Sequence, residues 1–179
     1  MLMFRRAAVA AALCLFSLPA AADEPVRIVL GYGLTADYLP KIERCIGALS
    51  EDDVWWRANS ASNSIGNLIL HLDGSTRMWV LGVAAGQRVA RDRDAEFSER
   101  GPLAKSQLLA RLRATMAEVD GALGRMDESA LMQRRESSSR GEVTALWAVL
   151  HAVEHFAMHT GQIILITKLR SASAIHLSS

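Results

Sequence analysis

Three histidines that recur every four residues constrain this chain more than any other feature of its sequence. His151, His155 and His159 lie in an apolar stretch that runs from Leu146 to Leu169. On an α-helix with 3.6 residues per turn, positions four apart lie above one another on the same face. Two neighbouring histidines can therefore direct both imidazoles to a single point, and a neutral imidazole is a common ligand of zinc and similar ions. The spacing predicts a helix that provides two ligands to a metal ion.

A third ligand must come from another part of the fold, because such a helix supplies two ligands at most. The other histidines of the chain are His71 and His176. His71 lies between Leu68 and Leu72 in a second strongly helical stretch, whereas His176 lies near the end of the chain in a polar tail. We therefore expect His71 to be the third ligand. Three imidazoles leave a position open for water or substrate, which is typical of a catalytic rather than a structural metal site.

The spacing alone leaves open which two histidines of the helix bind the ion. His151 and His159 are ~12 Å apart along the helix axis, at ~1.5 Å of rise per residue, which is too far for both to bind one ion. His155 therefore pairs with one of them, and the other would support a ligand from one turn away. Glu154 lies about 100° round the helix from His155 and is not expected to reach the ion. Gln162 could hold a ligand imidazole or a bound water, or tie two helices together.

Four amphipathic stretches predict an all-α bundle. Their apolar residues recur at steps of three and four, and the segments between them show no alternation of period two. The chain has 179 residues, half of them hydrophobic, which suits one domain with a sizeable core. The fourth stretch is apolar on nearly all sides, so we expect it to be buried between the others. The predicted helices cover residues 34–49, about 59–86, 105–126 and 146–169.

The connections between these helices are polar. Residues 87–101 (QRVARDRDAEFSERG) form a long charged connection, which Phe97 is expected to anchor to the bundle. Residues 127–141 form a second connection that is rich in serine and arginine. We interpret the arginines of both segments as solvated. Within the second helix, Gly66, Gly74 and Gly82 predict close packing of a neighbouring element, since each lowers helix propensity.

The first 22 residues have the composition of a secretory signal. A basic start is followed by an apolar run and by small residues before Ala22, where cleavage is expected. The run is shorter than the roughly 20 residues of a membrane-spanning helix. A signal peptide at residues 1–22 predicts a periplasmic or secreted protein with no membrane anchor after cleavage. If the start codon is wrongly assigned, the protein is cytoplasmic.

The charge balance argues against nucleic-acid binding, and the cysteine content argues against an internal disulfide. The 20 lysines and arginines nearly balance the 19 aspartates and glutamates, so there is no electrostatic argument for binding nucleic acid. Cys14 lies in the predicted signal, which leaves Cys45 alone in the mature chain. A lone cysteine forms no internal disulfide, and its position on an amphipathic helix predicts a buried, structural thiol.

Three motifs together resemble those of the DinB-like (YfiT-like) four-helix metal proteins. They are Asn63–Leu72 (NSIGNLILHL), Arg91–Phe97 (RDRDAEF) and His151–Ile163 (HAVEHFAMHTGQI). The resemblance covers residues about 35 to 170 and points to a branch with no established function. It implies an up-down-down-up bundle at residues 34–170, followed by a polar tail at 171–179. Carried over by motif, the metal ligands are His71, His155 and His159. From their positions on the helix, we expect His151 and Gln162 to support these ligands.

The resemblance also suggests a type of reaction. Relatives of known activity include S-transferases that use a small thiol as cosubstrate and a thiol-dependent isomerase. It therefore implies a metal-dependent enzyme that acts on a small molecule by transferring a low-molecular-weight thiol to an electrophile. Zinc, nickel and iron all suit imidazole ligands. The alternatives are hydrolysis by metal-bound water and a non-catalytic, metal-binding or stress-related bundle that pairs into a homodimer. The sequence assigns no catalytic residue.

Overall fold

The structure, a computed structural model, describes residues 32–101 and 103–171. The predicted signal peptide and the tail beyond residue 171 lie outside the described residues. The described elements follow in this order: a π-helical segment Tyr32–Tyr38, α1 Leu39–Gly47, α2 Glu51–Trp55, α3 Ile65–Thr76, a second π-helical segment Arg77–Ala84, α4 Arg93–Ser98, α5 Lys105–Leu123, α6 Glu128–Met132, β1 Arg134–Ser137, β2 Gly141–Thr144 and α7 Ala145–Arg170.

Four long helices form the bundle that the sequence predicts. Each of the first two combines an α-helix with a π-helical segment, which gives continuous helices at residues 32–47 and 65–84. With α5 and α7 they make an up-down-down-up four-helix bundle. The second helix contacts both α5 and α7, and α7 also packs against the first helix. The second helix and α7, which carry the predicted ligands, are therefore direct neighbours.

All four helices contribute large apolar side chains to one core. The apolar steps of three and four seen in the sequence correspond to the buried faces. Fully or almost fully buried side chains from the four helices in turn include Ile42 and Ile46, Leu68 and Leu72, Leu112 and Met116, and Phe156 and Ile163. Cys45 is buried in this core, and burial raises the pKa of its thiol, which fits a structural role.

Side-chain caps determine where the two histidine-bearing helices begin. Ser64 Oγ accepts a hydrogen bond from the Asn67 backbone amide at 3.2 Å, and Asn67 Oδ1 accepts one from the Ser64 amide. This capping box starts α3 at Ile65. Thr144 Oγ1 accepts from the Trp147 amide and starts α7 in the same way. Gly86, with φ of +68°, ends the second bundle helix.

Two glycines of the second helix lie where a neighbouring side chain approaches the backbone, as predicted. A Cβ added at Gly66 would lie 2.7 Å from the ring of Trp55. The ring cannot retreat freely, because Trp55 Nε1 donates a hydrogen bond to the Leu103 carbonyl at 3.0 Å. A Cβ added at Gly74 would lie 2.0 Å from Glu96 Oε1. Gly82 has no comparable contact, since its nearest neighbour is 3.6 Å away.

The sequence analysis did not predict the two short strands that the structure contains. Strands β1 and β2 form an antiparallel hairpin in which Arg134 pairs with Thr144 and Ser137 with Gly141. Each strand has four residues, too few to show an alternation of polar and apolar positions. The connection at residues 87–101 also contains a short helix, α4, which the sequence analysis treated as a loop.

The expectation that α7 is buried between the other helices holds for only part of its surface. Leu150, Met158, Leu165 and Leu169 are each about half exposed or more, at 49, 53, 58 and 63%. In a four-helix bundle, each helix keeps an outer face, even where the residues of that face are apolar. None of the described helices is long and apolar enough to cross a membrane.

Replacing Gly66 with alanine tests the close approach of Trp55. We expect the free energy of unfolding to fall by about 1–3 kcal/mol, because the added methyl group overpacks against a ring held by a hydrogen bond. Gly121→Ala is the control, since its Cβ meets only the flexible Arg125 side chain at 3.5 Å. That variant should gain up to about 1 kcal/mol from helix propensity. Denaturant unfolding measures both, and equal stability of Gly66→Ala and the parent would contradict the packing described.

Candidate metal centre

The structure brings His71, His155 and His159 into one cluster. His71 lies on α3, and the other two lie one turn apart on α7. The Nε2 atom of His155 lies 3.1 Å from the Nε2 atoms of both His71 and His159. One nitrogen from each ring lies within 4.8 Å of the other two. His71 and His159 are buried, and His155 is half-buried. The rings predicted as ligands therefore point at a common position.

Hydrogen bonds to the far side of two rings determine which nitrogen carries the proton. His71 Nδ1 lies 2.8 Å from Glu96 Oε2, and His159 Nδ1 lies 2.7 Å from Gln162 Oε1. An ionised carboxylate and an amide oxygen only accept hydrogen bonds, so both Nδ1 atoms donate. In a neutral ring the other nitrogen, Nε2, is then unprotonated and carries a lone pair. Both of these lone pairs face His155 Nε2.

Hydrogen bonds among neutral rings cannot account for both contacts of His155 Nε2. His155 Nε2 carries at most one proton, so it can donate to His71 or to His159, but not to both. At least one of the two 3.1 Å contacts then has no proton of its own to form a hydrogen bond. A cation at the common position removes this conflict. Two ligand nitrogens at ~2.05 Å from a tetrahedral ion are ~3.3 Å apart, close to the separation seen here.

The pKa values of the two clustered histidines on α7 favour the form that binds metal. Burial, together with the neighbouring His159, His71, His151 and Arg91, lowers the pKa of His155 to about 3. Burial also lowers the pKa of His159, although its hydrogen bond to Gln162 acts in the opposite direction. Both imidazoles are therefore neutral at pH 7, and a neutral imidazole is the ligand form.

Glu96 holds His71 and was missed by the sequence analysis. Burial alone raises the pKa of this carboxyl group, but hydrogen bonds from Arg91 and His71 outweigh burial and lower it overall. Arg91 donates through Nε to Oε1 at 2.6 Å and through Nη2 to Oε2 at 2.8 Å. Such a bidentate pair is strong and directional. The interpretation of Arg91 as a solvated arginine is wrong, because its charge is neutralised by a buried carboxylate.

The loop that carries Glu96 is fastened to α3 by Asn67. The Asn67 side-chain amide donates to the backbone carbonyls of Glu96 and Glu99, each at 2.9 Å. Phe97 lies against His71 with ring centroids 4.5 Å apart, so it anchors the loop as predicted. One sequence signal pointed to this contact, since Gly74 leaves the space on α3 that Glu96 Oε1 occupies.

The remaining candidates from the sequence lie outside the cluster. His151 stacks on Trp147, with centroids 5.0 Å apart and planes 6° from parallel, and meets the edge of Trp79. Its ring centroid is 6.0 Å from that of His155, so it lines the site next to a ligand ring. Glu154 is exposed. Asp73 accepts hydrogen bonds from Thr115 and Arg111 and does not join the histidines.

Two cavities border the residues that support the ligands. One, of about 360 Å³, is bounded by Gln162 and by a mostly apolar wall that includes Trp56, Leu68 and Leu165. The other, of about 250 Å³, is bounded by Arg91, Glu96 and Gly74. Ligand pockets for small molecules are typically apolar with a few polar groups and begin at about 300 Å³. The cavity beside Gln162 has these properties.

Glu96→Gln tests whether this carboxylate supports the metal centre. The change keeps the shape of the side chain but removes its charge, so we expect zinc affinity to fall about tenfold or more. Glu154→Gln is the matched control, because it makes the same chemical change at an exposed position beside His155. Competition with a chromophoric chelator measures both affinities. Equal affinities in the two variants would show that Glu96 does not act on the ion.

Comparison with known proteins places this architecture in a family. The model of the mycothiol-S-transferase family matches residues 34–169. A DinB-like protein from Bacillus subtilis has a similar fold, with a TM-score of 0.61 and 14% identity over 84% of this chain and 95% of the other. A conserved protein from Enterococcus faecalis has a TM-score of 0.62 and 15% identity over 79% of this chain and 95% of the other. A search of curated proteins returns no match.

The two solved structures establish the fold alone at this level of identity, whereas the family model covers most of the chain. The region it matches includes the three clustered histidines and the supporting Glu96 and Gln162. The chain therefore belongs to the DinB-like mycothiol-S-transferase family.

Proposed function

We propose that His71, His155 and His159 hold a divalent metal ion, and that the protein is a metal-dependent enzyme that transfers a small thiol to an electrophilic substrate. The observation that carries this proposal is the convergence of three Nε2 atoms, of which that of His155 lies 3.1 Å from each of the other two. The Nδ1 protons of His71 and His159 are engaged by Glu96 and Gln162. Such a donor set suits zinc, nickel and iron.

Three protein ligands leave a coordination position for a small molecule, which favours a catalytic over a structural site. A divalent ion at such a position lowers the pKa of a bound thiol or water. Glu96 and Gln162 orient two of the ligand rings by accepting hydrogen bonds from their Nδ1 atoms. Arg91 balances the charge of Glu96, so that the buried carboxylate remains ionised.

The surroundings of the cluster suit an organic substrate. Phe97 covers one side of His71, and the half-buried His151, held between Trp147 and Trp79, lies beside His155. These rings exclude water from parts of the site. The apolar cavity beside Gln162 offers space for a small molecule next to a ligand-supporting residue. An electrophile with an apolar portion is therefore the substrate class that we propose.

The family suggests the thiol to test first. Its description names mycothiol as the cosubstrate of S-transfer, and we propose a low-molecular-weight thiol of this general kind here. Family and fold together support a type of reaction, while the individual substrate depends on the lining of each site. Glutathione and other cellular thiols belong in the same assay for that reason.

Alanine variants test the metal ligands directly. We expect His71→Ala, His155→Ala and His159→Ala each to abolish stoichiometric zinc binding, because only two imidazoles are then left to hold the ion. His151→Ala should retain the ion with affinity lowered by about ten- to hundredfold at most, the range for residues that only support ligands. Metal analysis after gel filtration measures the content, and circular dichroism checks the fold. Loss of metal in His151→Ala with retention in His159→Ala would reverse the proposed ligand pair.

A panel of electrophiles incubated with mycothiol, glutathione and other small thiols tests the reaction. We expect thiol-dependent consumption of at least one electrophile that stops after removal of metal by a chelator and returns when zinc, nickel or iron(II) is added. His155→Ala provides the matched control, since it removes a ligand without touching the cavity beside Gln162. Metal-dependent turnover without thiol would indicate a hydrolase instead. A metal-loaded protein that converts nothing in the panel would favour a non-catalytic binding protein.

A further inference from the structure

A cleft of about 450 Å³ lies where the end of α7 meets α2 and the loop that follows α4. We call it the tryptophan cleft, and its wall consists of Asp52, Trp55, Trp56, Arg100, Gly101 and Arg170. It shares no lining residue with the histidine cluster or with the side chains that support the cluster. Its volume lies within the range of roughly 300–1,000 Å³ that is usual for ligand pockets. The tryptophan cleft is therefore a separate candidate site.

Much of the wall is held in place by the rest of the fold. Trp55 Nε1 donates a hydrogen bond to the Leu103 carbonyl at 3.0 Å. Arg170 Nη2 lies 2.6 Å from Asp53 Oδ1, so the charge of this arginine is neutralised. The same guanidinium group lies over the ring of Trp56, 5.0 Å from its centroid. A wall fixed in this way lowers the entropic cost of binding a ligand.

Arg100 is held by one nitrogen of its guanidinium group. Its Nη1 donates to the backbone carbonyls of Phe97 at 2.7 Å and Glu99 at 2.9 Å. Its Nε and Nη2 have no acceptor among the described residues. In Arg91 the same two nitrogens bind both carboxylate oxygens of Glu96. Arg100 therefore presents to the cleft the fork that binds a carboxylate through two parallel hydrogen bonds.

The neighbouring charges do not neutralise this fork. Glu99 Oε1 accepts from the backbone amides of Arg100 and Gly101, at 2.8 and 3.1 Å. Arg57 donates to the Asn67 side chain at 2.6 Å and, at 3.2 Å, to the carbonyl that Arg100 also binds. Burial and the charge of Arg100 lower the pKa of Arg57. Two cations thus converge on one neutral oxygen, and a carboxylate bound at the fork would relieve their repulsion.

Asp52 adds a carboxylate to the wall of the same cleft. It is exposed, and within the described part of the chain its carboxylate has neither a hydrogen bond nor an ion pair. Asp52 and Arg100 therefore line one cleft without contacting each other, so one ligand can reach both. An ammonium group complements Asp52 as a carboxylate complements Arg100.

We propose that the tryptophan cleft binds a free amino acid with an apolar side chain. Arg100 binds its carboxylate, Asp52 binds its ammonium group, and the two indole rings of the wall contact its side chain. Because Arg170 is already paired with Asp53, the wall presents one cation and one anion to a ligand. These charges favour a zwitterion over a simple anion, and the indole rings supply a large apolar surface beside them.

The loop between α4 and α5 separates this cleft from the metal centre. The ring of Phe97 lies against His71, whereas its backbone carbonyl accepts from Arg100. No interaction of the proposed amino acid involves the metal ion or its ligands. The proposal is therefore independent of thiol transfer, and each can fail without the other.

Isothermal titration calorimetry of the metal-loaded chain with phenylalanine, leucine, methionine and tryptophan tests the ligand class. We expect at least one of them to bind with a micromolar to millimolar dissociation constant. Its N-acetyl derivative lacks the ammonium group and its amide lacks the carboxylate. Each derivative should bind about tenfold more weakly or worse, because it loses a hydrogen bond to a charged group. No binding of any of the four at millimolar concentration, or equal binding of either derivative, would overturn the proposal.

Substitutions assign the binding to the tryptophan cleft. We expect Arg100→Gln and Asp52→Asn each to lower the affinity about tenfold or more, with unchanged helicity by circular dichroism. Arg125→Gln and Asp120→Asn are the matched controls, since they make the same changes at exposed positions near the end of α5, outside the cleft. Both controls should bind like the parent chain. Full affinity in Arg100→Gln would contradict the assignment.

The variant His155→Ala separates this cleft from the metal centre. It should bind the amino acid with the affinity of the parent chain, although it removes one of the proposed metal ligands. An amino acid that binds the metal-loaded parent but not His155→Ala would be a ligand of the ion, and that result would overturn the proposal.

Discussion

The contact between His71 and His155 joins two helices that are far apart in the sequence, and the rest of the site depends on it. Their Nε2 atoms lie 3.1 Å apart, although 84 positions separate the residues along the chain. His159 reaches the same point without another tertiary contact, because it lies one turn from His155 on α7. The position of the second helix against α7 therefore decides whether a three-nitrogen site forms.

The orientation of the clustered histidine rings depends on the side chains that accept hydrogen bonds from their far nitrogens. A histidine ring rotates about two side-chain bonds, so a hydrogen bond to its far nitrogen is needed to fix its orientation. Gln162 supplies that bond from the same helix as His159, one turn further on. Glu96 supplies it to His71 from a separate loop, which Asn67, Arg91 and the space left by Gly74 hold against α3. The bundle positions the rings, and the loop aligns one of them.

Much of this arrangement follows from local periodicity and was predictable for that reason. The spacing of His155 and His159 and the apolar steps of the helices depend on the geometry of one helix at a time. Glu96 was missed because its role depends on a loop folding back over α3, which no periodic pattern encodes. The hairpin at residues 134–144 was missed because its strands are too short to show a pattern.

Helix α7 also shows why apolar composition is a poor guide to burial. Its sequence is apolar on nearly all sides, which predicts a central helix. In the structure, one face packs on the core, another carries the histidines, and a third, with Leu150, Met158 and Leu165, faces outwards. Burial in a bundle depends on how many neighbours a helix has, which the apolar pattern of that helix does not specify.

X-ray absorption spectroscopy of the zinc-loaded protein tests the central claim most directly, because it measures the ligands of the ion itself. Three imidazole ligands, as proposed for His71, His155 and His159, predict nitrogen scattering at about 2.0–2.1 Å with the outer-shell signature of three rings. The open position adds one oxygen at a similar distance. A sulfur shell at about 2.3 Å, or the signature of four imidazoles, would contradict a site built from these three histidines with one position free.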